Sequence, residues 1–313
     1  MALPMAFLFT LGARGSPLAL AQADEARRRL AAAFRCEEAA IGVEAIRTAG
    51  DLIRDRPLAE AGGKGLFTKE IDAALVAGRI DFAVHSAKDL PTDLPDGVTI
   101  AGYLPREDAR DAFVSAVAGA FAALPPGARL GAASLRRQAQ ARRLRPDLKV
   151  ELLRGNVETR LRKAETRAVD ATLLALAGLK RLGLADRARA ALDLETFLPA
   201  VGQGAIALTA RRDDARTLAA LAAISDAATA TALSAERAFL AALGGSCRAP
   251  IAGHARFLDG ALALAGQVLR EDGSESFETR LSGAPADAAR LGAEAGRSLA
   301  ASLPPGFLPA PGR

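Results

Sequence analysis

Along roughly the first two hundred positions, short apolar runs alternate with longer stretches in which apolar residues recur every three or four places. The run "AFLFTL" near the start is apolar at almost every position and predicts a first β-strand. Ser16-Pro17 then sets a capping hydroxyl before a proline at the first helical position, and Leu20, Ala23, Leu30 and Phe34 follow at helical spacing. A strand over 43–48, a helix over 68–77 closed by Gly78 and a strand over 80–85 continue the alternation. A second round begins near Tyr103. It has a strand over "DAFVSAV", a helix capped by Ser134 and running toward Leu144, the apolar run "KVELL", a helix over "VETRLRKA", the strand "ATLLAL" and a helix from about Gly178. That rhythm is the mark of α/β domains.

The segment "LPAVGQGAIAL" (198–208) has its glycines just after a proline and is placed to return the chain toward the first domain. From about Ser225 the pattern changes. A helix over 231–243 precedes strand-like segments over 251–257, 261–270 and "SFETRL", with turns signalled by Asp259-Gly260 and Asp272-Gly273, and a last helix begins at Pro285. The expectation is an α/β protein of three domains: 1–103 with 203–224, then 104–202, then a small α+β domain over 225–313.

Composition narrows the class. With 313 residues, half of them hydrophobic and a quarter charged, the chain is long enough for two or three cores and reads as soluble and globular. The opening apolar run lacks the basic start and cleavage pattern of a secretion signal, and no uninterrupted apolar stretch approaches the roughly 18 to 20 residues of a membrane span. Two cysteines, Cys36 and Cys247, do not make a disulfide framework, which points to a reducing cytoplasm. The net charge of +5 invites a nucleic-acid reading, but aromatic residues make up 4% with no tryptophan, leaving few platforms for base stacking. A small polyanion suits the charge as well, and arginine, which far outnumbers lysine, favours bidentate pairing with carboxylates or phosphates.

Candidate chemistry gathers at element ends. In "DFAVHSAKDLPTDLP" an apolar strand runs out into Ser86, Lys88 and Asp89, where open α/β sheets bind ligands; Asp89 reads either as a ligand-facing carboxylate or as a turn cap before Pro91. His85 still belongs to the strand pattern and reads as a packed histidine. "GAASLRRQAQ" puts Arg136 and Arg137 in the first turn of a helix, "LLRGNVETRL" adds Arg154 and Arg160, and "AGLKRLG" adds Arg181, a spread that suits a ligand with several carboxylates. Cys247 stands in "LGGSCRAPIAG", after Gly244-Gly245 and beside Arg248, whose charge favours a thiolate; a small buried cysteine is the alternative.

Taken together, "ARGSPLALAQ", "GGKGLFTKEID", "DFAVHSAKDLPT", "SLRRQAQ", "LRGNVETRL", "LALAGLKRLGL", "LPAVGQGAI" and "ERAFLAALGGSCRAPIAGHA" resemble the porphobilinogen deaminase family, in the family's order and across 13–255. The resemblance implies a hydroxymethylbilane synthase. Such an enzyme joins four porphobilinogen molecules head to tail, releases ammonia at each addition and finally hydrolyses the chain to hydroxymethylbilane. It also implies a dipyrromethane cofactor held by a thioether, placed at Cys247, and a catalytic carboxylate, placed at Asp89. Arg14, Ser16, Gln22, Lys64, Ser86 and Lys88 fall on positions that resemble those binding cofactor and substrate, as do Ser134, Arg136, Arg137, Arg154, Arg160, Arg181 and Gln203. No metal is implied. The family's first two domains are similar to those of two-domain periplasmic binding proteins, facing each other across a cleft, and the implied state is a cytoplasmic monomer without nucleic-acid or membrane partners. Ala13 and Ala132 stand where threonine is common, and Thr209 where glutamate is frequent. A binding module that closes on an anion without chemistry is the rival from another class; it needs neither Cys247 nor Asp89.

Overall fold

The computed structural model describes residues 7–52, 65–245 and 249–308. The chain opens with β1 (Phe9–Arg14), α1 (Pro17–Phe34), β2 (Ile41–Ile46), α2 (Ala49–Leu52), α3 (Lys69–Val76), β3 (Phe82–Ser86) and β4 (Val98–Tyr103). Next come β5 (Asp111–Ser115), β6 (Arg129–Gly131), α4 (Leu135–Leu144), β7 (Lys149–Glu151), α5 (Val157–Glu165), β8 (Ala171–Ala175), α6 (Leu176–Arg181) and β9 (Ala190–Ala191). The last part holds β10 (Ile206–Arg211), α7 (Ala215–Ala222), α8 (Ala227–Ala242), β11 (Ile251–Leu258), β12 (Ala261–Leu269), β13 (Ser276–Gly283) and α9 (Ala288–Ser302).

Two five-stranded sheets and one three-stranded sheet result, ordered β2-β1-β3-β10-β4, β7-β6-β8-β5-β9 and β11-β12-β13. The five-stranded sheets repeat one plan. In each, three parallel strands are joined by an antiparallel fourth, β10 beside β3 and β5 beside β8, and a fifth, antiparallel to that fourth, closes the edge. The chain divides into two compact units: the described parts of Met1–Ile53, Gly62–Arg106 and Ala205–Ala230 form the first, and those of Glu107–Gly204 and Thr231–Arg313 the second.

In the first unit, α1 starts where expected. The Ser16 hydroxyl accepts from the Ala19 N–H (3.3 Å), and Pro17, which has no N–H to leave unpaired, occupies the first turn. Its inner face, Ala23, Ala26 and Leu30, packs with Phe9, Leu11, Phe82, Val84, Ile206 and Leu208 of the sheet in one apolar core. In the second unit, Phe113, Phe121 and Phe197 meet edge to face at 6.0 and 6.3 Å within the core over β5, β6 and β8.

The three-stranded sheet belongs to the second unit for reasons visible in its bonds. Arg256 of β11 and Arg280 of β13 both pair with Glu195 (2.7 and 2.5 Å), and Arg142 of α4 donates to the Glu271 carbonyl at 2.8 Å. Glu236, fully buried in α8, accepts from the Gly202 and Ala255 N–H groups, each at 2.7 Å. The Gly253 N–H reaches the Pro199 carbonyl at 2.9 Å.

Four strands, β4, β6, β9 and β10, were not expected; at β10 the sequence indicated only that the chain returns toward the first domain. β6 has three residues and β9 two, too short to show a period, and the alternation in β4 is blurred by four half-buried positions. α8 begins at Ala227 rather than Thr231, because the Asp226 carboxylate accepts from the Thr229 N–H (2.7 Å) and caps an earlier turn. The Asp259-Gly260 hairpin is as expected, with both residues at positive φ (49° and 81°).

Candidate functional site

β1 and β3 are parallel neighbours, and β2 lies on the other side of β1, so the chain reverses direction of travel between them. At such a switch point the loops leaving the two strand ends diverge and open a crevice. Arg14 ends β1 and Asp89 lies three residues beyond β3, in a single helical turn over Ala87–Asp89. Their side chains meet, Nη1 of Arg14 standing 3.8 Å from Oδ2 of Asp89, with about a quarter and a third of each still open to solvent (23% and 33%). The Arg14 guanidinium also lies 4.1 Å from the centre of the Phe67 ring. Beside them the Gln22 amide donates to Ser86 Oγ at 2.9 Å, and Lys88 is half-buried in the same turn as Asp89. Four of the residues singled out from sequence, Arg14, Ser86, Lys88 and Asp89, thus stand on two adjacent strand ends, with Gln22 tied to them.

Beneath this cluster His85 is buried, its Nε2 3.2 Å from Thr209 Oγ1, so the threonine at the glutamate position supplies a neutral partner to a neutral ring. Burial, reinforced by the Arg14 charge, pushes His85 down from its ordinary value to about 4. Between the two values an unfolded chain takes up a proton that the folded chain refuses. The stabilising contribution is therefore complete above about pH 6.5 and is lost as pH falls toward 4, by up to about 3 kcal/mol. With only two histidines in the chain, the urea midpoint is expected to fall between about pH 7 and pH 5, and His85→Asn to flatten that slope. An equal slope in the variant would place the titration elsewhere.

The second unit has the matching switch point, between β6 and β8. α4 starts there, with Ser134 Oγ accepting from the Arg137 N–H at 3.4 Å. Arg136 and Arg137 do not lie open on this helix end. Both are buried, and both converge on Asp111, the first residue of β5, which is fully buried. Arg137 donates through Nε and Nη2 to Oδ1 (2.9 and 2.6 Å), Arg136 Nη1 stands 2.8 Å from Oδ2, and the Gln203 amide donates to Oδ1 at 3.0 Å and to the Ala109 carbonyl at 2.7 Å. Burial alone would raise Asp111; the two guanidiniums outweigh it and hold the carboxyl well below the usual carboxylate range. Asp111 escaped the sequence reading, although a charged residue at the head of the apolar run "DAFVSAV" was a signal of a buried, paired carboxylate.

Arg154 follows β7 and is partly desolvated, which lowers its pKa. Arg160, in α5, donates from Nε to the Gly155 carbonyl at 2.8 Å, and Arg181, closing α6, donates from Nη2 to the Gly204 carbonyl at 3.1 Å. Ala13 and Ala132 are both buried. Cys247 and Lys64 lie outside the described residues. The approach to Cys247 is described: α8 ends with the Gly245 N–H on the Leu240 carbonyl (2.8 Å), and Gly244 and Gly245 both have positive φ (84° and 61°), a helix stop that a β-carbon would disfavour.

A dipyrromethane bearing acetate and propionate groups is a polyanion, and the Arg136–Arg137–Asp111 cluster fits one. Two buried cations face one buried anion, leaving one positive charge in excess, and Arg136 Nε is buried with no hydrogen-bond partner among the described residues. Among the described residues no group of three acidic, histidine or cysteine side chains could hold a metal ion, and no single helix is long and apolar enough to cross a membrane.

Strand-end guanidiniums, a carboxylate at a switch point and a buried cationic excess define an α/β enzyme that handles an acidic ligand. The chain belongs to the porphobilinogen deaminase family: the family's dipyromethane cofactor binding domain matches residues 9–219 and its C-terminal domain residues 230–301. It is 59% identical to the porphobilinogen deaminase of Nitrobacter winogradskyi over 292 residues, covering 93% of this chain and 92% of that one. To the porphobilinogen deaminase of Paracoccus denitrificans it is 52% identical over 297 residues, covering 95% of each. Among solved structures it is similar to a periplasmic substrate-binding protein of an ABC transporter from Coxiella burnetii, at a TM-score of 0.43 and 13% identity, covering 72% of this chain and 94% of that one. The chain is accordingly a transferase of tetrapyrrole synthesis, a hydroxymethylbilane synthase.

Proposed function

We propose that in this reaction Asp89 is the catalytic carboxylate, Cys247 holds the dipyrromethane through a thioether, and the arginines bind its acetates and propionates and those of the substrate. The observation that carries the reading is the placement of Asp89 beside Arg14 at the β1–β3 switch point, with both side chains partly open. When bound, the cofactor supplies the pyrrole carbon on which the chain grows.

Porphobilinogen becomes an electrophile when its amine is protonated and leaves as ammonia, and the positive charge that develops is shared with the pyrrole nitrogen. A carboxylate placed at that nitrogen accepts its N–H and stabilises the charge, and later takes the α-proton that the attacking pyrrole loses as it regains aromaticity. Asp89 is suited to both tasks, because among the described residues no hydrogen bond ties it to a single partner and its ion pair with Arg14 spans 3.8 Å. Lys88 and Arg14 supply positive charge for the substrate's carboxylates on the same strand ends, with Ser16, Ser86 and Gln22 as neutral contacts. In the second unit Arg154, Arg160 and Arg181 do the same work, with Ser134, Arg136, Arg137 and Gln203; Lys64, outside the described residues, completes the proposed set. We further propose a cytoplasmic monomer of three domains, bounded at 1–103 with 203–224, 104–202 and 225–313, without nucleic-acid partners. One sheet falls in each of the three.

The intact mass of the denatured, purified chain tests the anchor. It is expected to exceed the sequence mass by two linked pyrrole units, and peptide mapping to place them on the peptide containing Cys247. An unmodified chain that stays unmodified after incubation with porphobilinogen would overturn the assignment, as would an adduct retained by Cys247→Ser.

A further inference from the structure

We infer that Asp111 is a positioning residue for this reaction: a standing counter-ion that holds the Arg136 and Arg137 guanidiniums together and leaves them charge for one acidic group of the ligand. The inference rests on the assignment of these two arginines to ligand binding.

Successive residues on a helix point about 100° apart, so Arg136 and Arg137 have no intrinsic tendency to present their guanidiniums together. Asp111 overrides that divergence. One carboxylate oxygen takes both donors of Arg137 and the amide of Gln203, and the other faces Arg136 at 2.8 Å. Arg136 is fixed a second time, since Nη1 also donates to the Leu198 carbonyl at 2.8 Å, an oxygen shared with the Gln140 amide at 2.9 Å. Long arginine side chains are ordinarily mobile, whereas here Arg137 is held by two donors on the buried Asp111, and Arg136 by Asp111 and the Leu198 carbonyl. Asp111 opens β5, which lies between β8 and β9; it is paired with Ala175 of β8, and on the other side its carbonyl accepts from the Leu192 N–H at 2.8 Å. The group on which the arginines converge is thus buried and held by the sheet.

The charge count gives the second half of the inference. Two cations and one anion leave a single positive charge, close to the N-terminal end of α4, where the backbone also favours negative charge. A buried cationic excess is costly unless an anion meets it. Without Asp111 the pair would carry two charges and repel itself. With Asp111 the pair stays closed and keeps affinity for one carboxylate.

The test compares purified variants by intact mass, thermal midpoint and steady-state kinetics with porphobilinogen. Asp111→Asn keeps shape and removes the charge. It is expected to raise KM at least tenfold with kcat changed much less, and to lower the fraction of chains carrying the two-pyrrole adduct. Asp111→Glu, which restores the charge on a longer arm, is expected to recover part of both losses, and it carries the test if the asparagine variant does not fold. Thr172→Ala serves as the structural control. It removes a buried hydrogen bond in the same sheet, to the Gly131 carbonyl at 2.8 Å, and is expected to lower the thermal midpoint while leaving KM and adduct as they were. Unchanged KM and adduct in Asp111→Asn would overturn the inference, and so would a Thr172→Ala variant that reproduced its losses. Arg137→Lys separates the two possible failures. If it changes KM and adduct while Asp111→Asn does not, only the role of Asp111 falls; if it too changes nothing, the assignment of the arginines falls with it.

Discussion

Asp89→Asn is expected to lower kcat by roughly two to four powers of ten, the range that a positioned proton-transferring group supplies, while leaving the fold as stable as before. Both halves follow from the geometry. The side chain is one-third open, stands in a single helical turn past the end of β3, and pairs with Arg14 at 3.8 Å, a partly exposed pair of little net value to folding. Asparagine fills the same space and still accepts a hydrogen bond, but it carries no charge to stabilise a cationic pyrrole and has no basic oxygen to take its proton. The loss should therefore fall on kcat, with KM changed little, because the interaction removed is strongest in the transition state. Ammonia release measured against time at saturating porphobilinogen reads the effect directly. Wild-type turnover in this variant would return Asp89 to the alternative reading, a turn cap.

Glu236→Ala has the opposite signature. Its two oxygens accept the Gly202 and Ala255 N–H groups at 2.7 Å each, inside the second unit and away from solvent. Removing the carboxylate leaves two buried donors without acceptors, at a cost of about 3 kcal/mol or more. Glu236→Gln is not expected to rescue it. Both partners are donors, so one N–H would face the amide NH2 rather than an oxygen. Urea denaturation of the three proteins decides the matter. A glutamine variant as stable as wild type would show that one accepted bond suffices. The loop that Glu236 holds also carries Gln203, which reaches Asp111, so a destabilised variant that still folds should also load less cofactor.

Much of this was legible in the chain. Ser16-Pro17, Ser134 and Asp259-Gly260 are local devices whose chemistry acts within a few residues, and each appears where the sequence places it. The return of the chain after residue 198 was readable from its glycines, yet not that β10 would lie antiparallel between β3 and β4, because pairing across more than a hundred residues leaves no local pattern. At the site, Asp89, Lys88 and Arg14 could be singled out because residues beyond apolar strand ends are exposed by default. Arg136 and Arg137 could be singled out as well, but not their burial. That depends on Asp111, which is 25 positions upstream of Arg136 and looks from sequence like the start of a strand.

The position of β10 bears on how the chain is made. The second sheet draws its strands from one continuous stretch, β5 to β9, whereas β4 in the first sheet has β10 as its sole pairing partner among the described residues. On the ribosome, β2, β1 and β3 can associate early, but β4 waits until residues 206–211 have emerged. The later-synthesised sheet therefore has all its strands before the earlier one does, reversing the usual N-terminal-first order. Over that interval β4 and the open edge of β3 are available for pairing with other chains, and a pause in translation between them and β10 lengthens the exposure.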